Sequence, residues 1–129
     1  QRWWLLAVAV LGIGLAVLPR LAAAHALPFS AQAFEAAQAA DRPILVDVTA
    51  SWCPTCRTQK PILARLLADP RFAEMAAFEV DYDRQKDVVR RFEARMQSTL
   101  IVFRGRDELG RSVGDTNPAS IMSLLEMTL

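Results

Sequence analysis

The sequence is poor in cysteine and histidine, with only two cysteines and one histidine in 129 residues. A closed zinc site needs four ligands, usually Cys or His, so one chain cannot complete such a site from the usual set. His25 lies in an N-terminal segment that we expect to be removed, and histidine-based catalysis is therefore not predicted. Of these side chains, Cys53 and Cys56 remain as the candidates for chemistry.

The chain also lacks a strong charge of either sign. Its formal net charge is +1, and losing Arg2 and Arg20 with the N-terminal segment would leave it close to neutral. A basic patch, the electrostatic signature of nucleic-acid binding, is therefore not predicted. The sequence contains no repeat and no low-complexity linker, which predicts a single domain.

A long uninterrupted apolar run is missing from the N-terminal segment. Arg2 precedes the apolar stretch Trp3 to Leu18, which is shorter than the roughly 20 residues of a spanning helix. Pro19 interrupts its continuation, and Ala24 to Ala26 has the small-x-small pattern of a cleavage site. This order of features predicts a secretory signal peptide cleaved after Ala26.

The predicted organisation is therefore a signal peptide over residues 1–26 and one domain over residues 27–129. The alternative is that the segment stays uncleaved as a signal anchor, which would be the protein's only membrane contact. Both alternatives place the domain outside the cytoplasm, in the periplasm or an equivalent extracytoplasmic space.

Helix and strand patterns alternate through the rest of the chain. Ser30 is placed to cap a first helix, with Phe29 packing on Phe34, and the apolar, β-branched run Ile44 to Thr49 is typical of a strand buried on both faces. Further patterns predict helices over 53–68, 84–94 and from Asn117 onward, and strands over 75–82, 99–103 and 109–113. The order predicts an α/β fold, with a central mixed sheet of about four strands and helices on both faces.

The two cysteines form a C-x-x-C pair at the start of a predicted helix. One interpretation is half of a zinc site, which would need a second chain to supply ligands. A second is a redox dithiol beside a βαβ pattern. A third is an inert disulfide, although so short a closed loop constrains little of the unfolded chain. The ligand count favours the redox dithiol.

The position of each cysteine predicts its role. Cys53 falls at the N-cap of the helix, where unpaired N–H groups and the helix dipole favour a thiolate. We therefore expect Cys53 to attack a substrate disulfide and Cys56, one turn deeper, to resolve the mixed disulfide. Arg57 and Lys60 add positive charge nearby, or are simply solvated helix side chains.

Asp47 is the one charged residue in the predicted buried strand. Burial raises the pKa of a carboxyl group, and such an acid near the dithiol could take the proton from Cys56 and return it. The alternative is an Asp at the end of the strand that water reaches. The nearly apolar strand favours the catalytic role.

The chain resembles the thioredoxin family over essentially all of residues 27–129. The resemblance rests on Val46-Asp47-Val48, then Trp52-Cys53-Pro54-Thr55-Cys56, then Pro61, and on the later strand pair Thr99 to Phe103 with Gly105 and Gly110. It implies the thioredoxin fold, an attacking Cys53, a resolving Cys56, a proton-handling Asp47 and a Trp52 that shields the site. It also implies that substrate contacts come from Trp52, Pro54, Thr55, Gln97, Ser98 and Thr99.

One position departs from the family pattern. Thioredoxins carry a cis-proline just before the strand that matches Thr99 to Phe103, and here that position is Ser98. Because a cis bond before a non-proline residue costs about 2.5–4 kcal/mol, we expect a trans peptide and an altered loop. The Ser98 hydroxyl could instead reach the thiolate, or the position could leave room for a metal shared by two chains.

These observations predict an extracytoplasmic thiol–disulfide oxidoreductase that reduces protein disulfides and needs no cofactor. A membrane thiol carrier is the expected electron donor, as the segment Asp69-Pro70-Arg71-Phe72 is similar to one in periplasmic thioredoxin-like reductases. Two alternatives stay open: a dimer that binds a metal or iron–sulfur cluster through the same thiolates, and a redox-silent interaction domain.

Overall fold

The computed structural model describes residues 24–129, so the predicted N-terminal segment lies largely outside the described residues. The elements in chain order are β1 (Ala26–Pro28), α1 (Ala31–Ala39), β2 (Pro43–Thr49), α2 (Pro54–Leu67), a 3-10 turn (Pro70–Phe72), β3 (Ala76–Asp81), α3 (Lys86–Arg91), β4 (Thr99–Arg104), β5 (Asp107–Val113) and α4 (Pro118–Glu126). The strands form one sheet in the order β1-β3-β2-β4-β5.

The sheet is mixed, as predicted. Strand β3 pairs in parallel with β1 and β2, whereas β4 runs antiparallel to both β2 and β5. The prediction of about four strands was one short, because β1 has three residues and gives no periodic pattern. Its last residue, Pro28, is compatible with an edge strand, where a missing N–H is tolerated.

Local sequence signals set the ends of the helices. Ser30 caps α1 by accepting a hydrogen bond from the Ala33 N–H, and the Phe29 and Phe34 rings lie 5.5 Å apart. Helix α3 is shorter than its predicted span of 84–94. The Asp81 carboxylate holds the turn before it, and Glu93 takes a left-handed conformation (φ 52°) just after it.

Two apolar clusters cover the two faces of the sheet. One contains Ile44, Val46 and Val48 of β2 with residues of α1 and α3. The other contains Leu45 with residues of α2 and α4. Because side chains alternate along a strand, Asp47 lies on the same face as Leu45, towards α2. Within residues 24–129, no helix is long and apolar enough to span a membrane.

Candidate redox-active site

The two cysteines lie at the N-terminus of α2, where the sequence predicts them. Cys53 is the N-cap residue with an extended backbone, and its Sγ accepts a hydrogen bond from the Cys56 N–H at 3.1 Å. Pro54 follows as the first helical residue, where its missing N–H costs nothing. Both cysteines are free thiols, 2% and 6% exposed. The site is therefore a buried dithiol.

Ser98 immediately precedes β4, and its side chain faces the dithiol. Its Oγ lies 3.2 Å from Cys53 Sγ and 3.1 Å from Cys56 Sγ. The described residues contain no cis peptide bond, which confirms the predicted trans peptide before Ser98. The backbone is instead left-handed there, with φ 62°, a conformation that costs a non-glycine residue about 1–3 kcal/mol. The surroundings must hold Ser98 in place against that cost.

The hydrogen bonds around Cys53 favour its thiolate form. Burial by itself would raise the pKa of the Cys53 thiol. Hydrogen bonds from the side chains of Cys56 and Ser98, and from the backbone N–H groups of Cys56 and Thr55, outweigh burial and lower that pKa. The lowered pKa makes Cys53 suited to act as the nucleophile.

Asp47 is buried in β2 on the side of α2. Its pKa is raised to about 7, first because burial disfavours the charged form and second because Glu79 lies nearby, while Lys60 acts in the opposite direction. Its Oδ1 atom has no hydrogen-bond partner. Asp47 is therefore an acid that titrates near neutral pH, as the sequence prediction of its role requires.

Asp47 and the dithiol line neighbouring cavities. A cavity of about 210 Å³ contains Asp47, and another of about 410 Å³ contains Cys53, Cys56 and Arg57. Lys60 and Glu79 line both cavities. In the part of the chain described here, no hydrogen bond joins Asp47 directly to a sulfur.

Trp52 precedes the nucleophile and is 54% exposed. Its indole N–H donates a hydrogen bond of 2.6 Å to Asp83 Oδ2, which holds the ring in one orientation. Pro54 is exposed and Thr55 half-buried on the first turn of α2. Tyr82 packs against the small cluster formed by Cys53, Cys56 and Ala50.

The loop opposite the dithiol is held by its own hydrogen bonds. The buried Thr99 hydroxyl donates to the Met96 carbonyl at 2.7 Å, so this hydroxyl closes the loop. Gln97 is half-buried. Of the three residues predicted here as substrate contacts, only Ser98 has a side chain in hydrogen-bond contact with the cysteines.

Two residues around the site were missed from the sequence. Gln59 is 1% exposed, and its Nε2 donates to the Asp115 carbonyl at 2.7 Å and, more weakly, to the Ser98 carbonyl at 3.4 Å. The sequence could have indicated that Gln59 is unusual. It shares a helical face with Cys56 and Leu63, and a polar residue is unexpected on such an apolar face. Asp83 gave no such signal, since its contact with Trp52 depends on tertiary packing.

Comparison with known proteins identifies the class. The sequence model described as "Thioredoxin" matches residues 25–127. Thioredoxin-2 of Saccharomyces cerevisiae is 32% identical over 93 residues, which are 71% of this chain and 86% of that protein. Thioredoxin H2-1 of Oryza sativa is 32% identical over 71 residues, 55% of this chain, and the match spans half the rice protein's length.

Solved structures agree with this assignment. Trxlp from Edwardsiella tarda is 42% identical with a TM-score of 0.74, covering 76% of this chain and 95% of that one. The thioredoxin of Malassezia sympodialis superposes with a TM-score of 0.69 at 20% identity, covering 81% and 96%, which supports the fold alone. The chain belongs to the thioredoxin family, whose members are disulfide oxidoreductases, and the predicted fold and enzyme class are confirmed.

Proposed function

We propose that the protein is an exported thioredoxin that reduces disulfide bonds in other proteins. The observation that carries this proposal is the environment of Cys53. A buried sulfur at a helix N-cap, with several donors around it and a second thiol one turn away, is suited to nucleophilic attack on a disulfide.

The reaction proceeds in two thiol exchanges. The Cys53 thiolate attacks one substrate sulfur, breaking the substrate S–S bond and forming a mixed disulfide. Cys56 then attacks Cys53 Sγ, which releases the second substrate thiol and leaves a Cys53–Cys56 disulfide. Two electrons pass from the dithiol to the substrate. A separate reductant must then restore the dithiol.

Asp47 is the proposed proton acceptor for Cys56. With a pKa of about 7, it exchanges protons at neutral pH without a large energetic penalty. The two cavities that share Lys60 and Glu79 provide the space through which that exchange would run. Oδ1 of Asp47 has no hydrogen-bond partner, which is consistent with a carboxyl group that binds a proton or a transient partner.

The substrate is proposed to bind across the exposed side of the dithiol. Trp52, Pro54 and Thr55 would form one wall, and the loop Gln97 to Thr99 the other. Exposed apolar groups at Trp52 and Met96 support this placement, with 54% and 52% of each residue accessible. Ser98 is proposed to occupy the position of the family's cis-proline.

The location and electron donor are proposed from the N-terminal sequence. Residues 1–26 would direct export, and a membrane thiol carrier would then be the donor because the periplasm lacks the cytoplasmic reductants. Fusing residues 1–26 to a reporter enzyme that is active only after export tests the location. Reporter activity equal to that of an unfused control would overturn it.

The activity itself is tested by insulin reduction with a chemical reductant present. We expect the wild-type protein to accelerate precipitation of the insulin B chain, and Cys53→Ser to give only the rate of the reductant alone. Equal rates for the two proteins would reject the enzyme proposal and leave the redox-silent alternative.

The alternative of a metal shared by two chains makes a different prediction. Residues 24–129 contain no group of three or more side chains placed to hold a metal, so two chains would have to combine their cysteines. Protein purified without air would then contain metal or a cluster. The dithiol function is preferred because Ser98 Oγ already contacts both sulfurs.

A further inference from the structure

The Ser98 hydroxyl lies almost equally far from the two reacting sulfurs, 3.2 Å from Cys53 Sγ and 3.1 Å from Cys56 Sγ. A hydroxyl has one proton to donate and can rotate to direct it. Both sulfurs and Ser98 are buried, with 2%, 6% and 3% of each residue exposed. The Ser98 hydroxyl is therefore a donor within reach of whichever sulfur carries negative charge.

Three segments hold the Ser98 backbone in position. Its N–H donates to the Val48 carbonyl of β2 at 2.7 Å, and its carbonyl accepts from the Gly114 N–H at 2.9 Å. Gln59 of α2 approaches the same carbonyl at 3.4 Å. Because the main chain is fixed, reorienting the hydroxyl between the sulfurs needs only a turn about the C–O bond.

We propose that the Ser98 hydroxyl is a shared hydrogen-bond donor that stabilises the Cys53 thiolate in the resting dithiol and the Cys56 thiolate in the mixed disulfide. In the resting state Ser98 donates to the charged Cys53 sulfur. When Cys53 bonds to a substrate sulfur it loses its negative charge, and the hydroxyl becomes available to Cys56. This proposal rests on the proposed function and assigns Ser98 as a catalytic residue within it.

The proton and electron balance closes without a further reagent. In the first exchange the departing substrate sulfur takes the charge that Cys53 carried and is then protonated. In the second, Cys56 gives its proton to Asp47, accepts the Ser98 hydrogen bond and attacks Cys53 Sγ. The bond between Cys53 and the substrate breaks, and the second substrate sulfur takes up a proton as it leaves. Ser98 ends the cycle as the same neutral hydroxyl.

Other charged groups lie near the cysteines. Arg57 and Lys60 of α2 and Glu79 and Asp81 of β3 line the adjoining cavity, and Asp47 of β2 lies beyond it. A test of Ser98 must leave these groups unchanged. Ser98→Gly does so, because glycine adopts φ 62° without strain and only the hydroxymethyl group is lost.

The test uses the aromatic disulfide dithiobis-nitrobenzoate at one equivalent of reduced protein. Attack by Cys53 releases the first coloured thiolate, and resolution by Cys56 releases the second, so one trace reports both sulfurs. The rate of each phase is measured against pH for wild type and Ser98→Gly. Ser98→Ala serves as a second variant that also lacks the hydroxyl.

We expect the pH midpoint of both phases to rise in Ser98→Gly by about one unit, since a hydrogen bond to a charged group is lost. A less acidic thiolate is intrinsically more nucleophilic, so each phase should be about threefold slower below its midpoint and about threefold faster above it. For each phase, the plots of rate against pH for wild type and Ser98→Gly would therefore cross.

Unchanged midpoints in both variants would overturn the proposal, and a shift in the first phase alone would overturn the shared role. Failure of the proposed function gives a different result. In that case wild-type protein reduces insulin no faster than Cys53→Ser, whatever the phases with the aromatic disulfide show.

Discussion

Asp47 and Glu79 are directly paired residues on the adjacent parallel strands β2 and β3. Paired residues point to the same face of a sheet, so the two carboxyl groups lie near each other beneath α2. Glu79 adds to the effect of burial in raising the pKa of Asp47, and Lys60, 4.0 Å from Glu79, opposes it. Burial first, and the neighbouring Glu79 second, make Asp47 a proton-exchanging group rather than a fixed charge.

Replacing Asp47 should stabilise the protein at neutral and alkaline pH. The pKa of Asp47 is raised from 3.8 to about 7 on folding, so between these values the unfolded chain has released a proton that the folded protein keeps. Folding stability therefore falls as pH rises through this window. Asp47→Asn should gain about 2–4 kcal/mol at pH values above 7 and almost nothing below 4, as measured by denaturant unfolding.

Glu79→Gln provides the control for this prediction. It removes the neighbouring carboxylate, so the pKa of Asp47 should rise less on folding and the total loss of stability with rising pH should be smaller. The lost ion pair with the largely exposed Lys60 should cost little. If Asp47→Asn kept the wild-type dependence on pH, Asp47 would not be the buried acid described here.

Asp83→Ala should weaken substrate binding without changing the chemistry of the dithiol. The Asp83 carboxylate accepts the indole N–H of Trp52, and without it the exposed ring loses its fixed orientation. KM for insulin should rise by up to about fivefold, because a typical hydrogen bond contributes about 1 kcal/mol. The value of kcat should stay near that of wild type. Asp83→Asn retains an acceptor oxygen and should recover most of the loss; equal KM values for wild type and Asp83→Ala would contradict this role of Trp52.

Ser98→Pro should destabilise the protein, although proline is the family residue at the matching position. Proline requires a negative φ near −65°, whereas Ser98 has φ 62° and its N–H donates to the Val48 carbonyl. The combined loss should be about 2–4 kcal/mol in thermal or denaturant unfolding. Ser98→Gly keeps both features and should stay within about 1 kcal/mol of wild type. A Ser98→Pro protein as stable as wild type would show that the loop tolerates another backbone conformation.

The features predicted from sequence depend mainly on neighbouring residues. The N-cap at Cys53, the first-turn Pro54 and the cap at Ser30 are local rules, so each could be placed before the fold was known. Asp47 stood out because one acid interrupts an apolar strand. The buried strands were recognised by composition, and the α/β class by their alternation with helices.

The features that sequence did not predict depend on contacts between distant segments. Asp83 lies 31 residues from Trp52, and Gln59 lies 56 residues from the Asp115 carbonyl. The residues next to Asp83 and Gln59 in the sequence do not indicate which distant group each one contacts. The reach of Ser98 to a sulfur was suggested by the resemblance, but its left-handed backbone and its contact with both sulfurs required the fold.

The most direct test of the central claim is to trap the reaction on Cys56→Ser. Without the resolving thiol, the mixed disulfide between Cys53 and a disulfide-containing substrate such as insulin should accumulate. Peptide mapping of the non-reduced adduct by mass spectrometry should find one substrate chain bound to Cys53, and reductant should release it. Failure to form this adduct, in a Cys56→Ser protein that is folded and has a free Cys53, would contradict the assignment of Cys53 as the nucleophile.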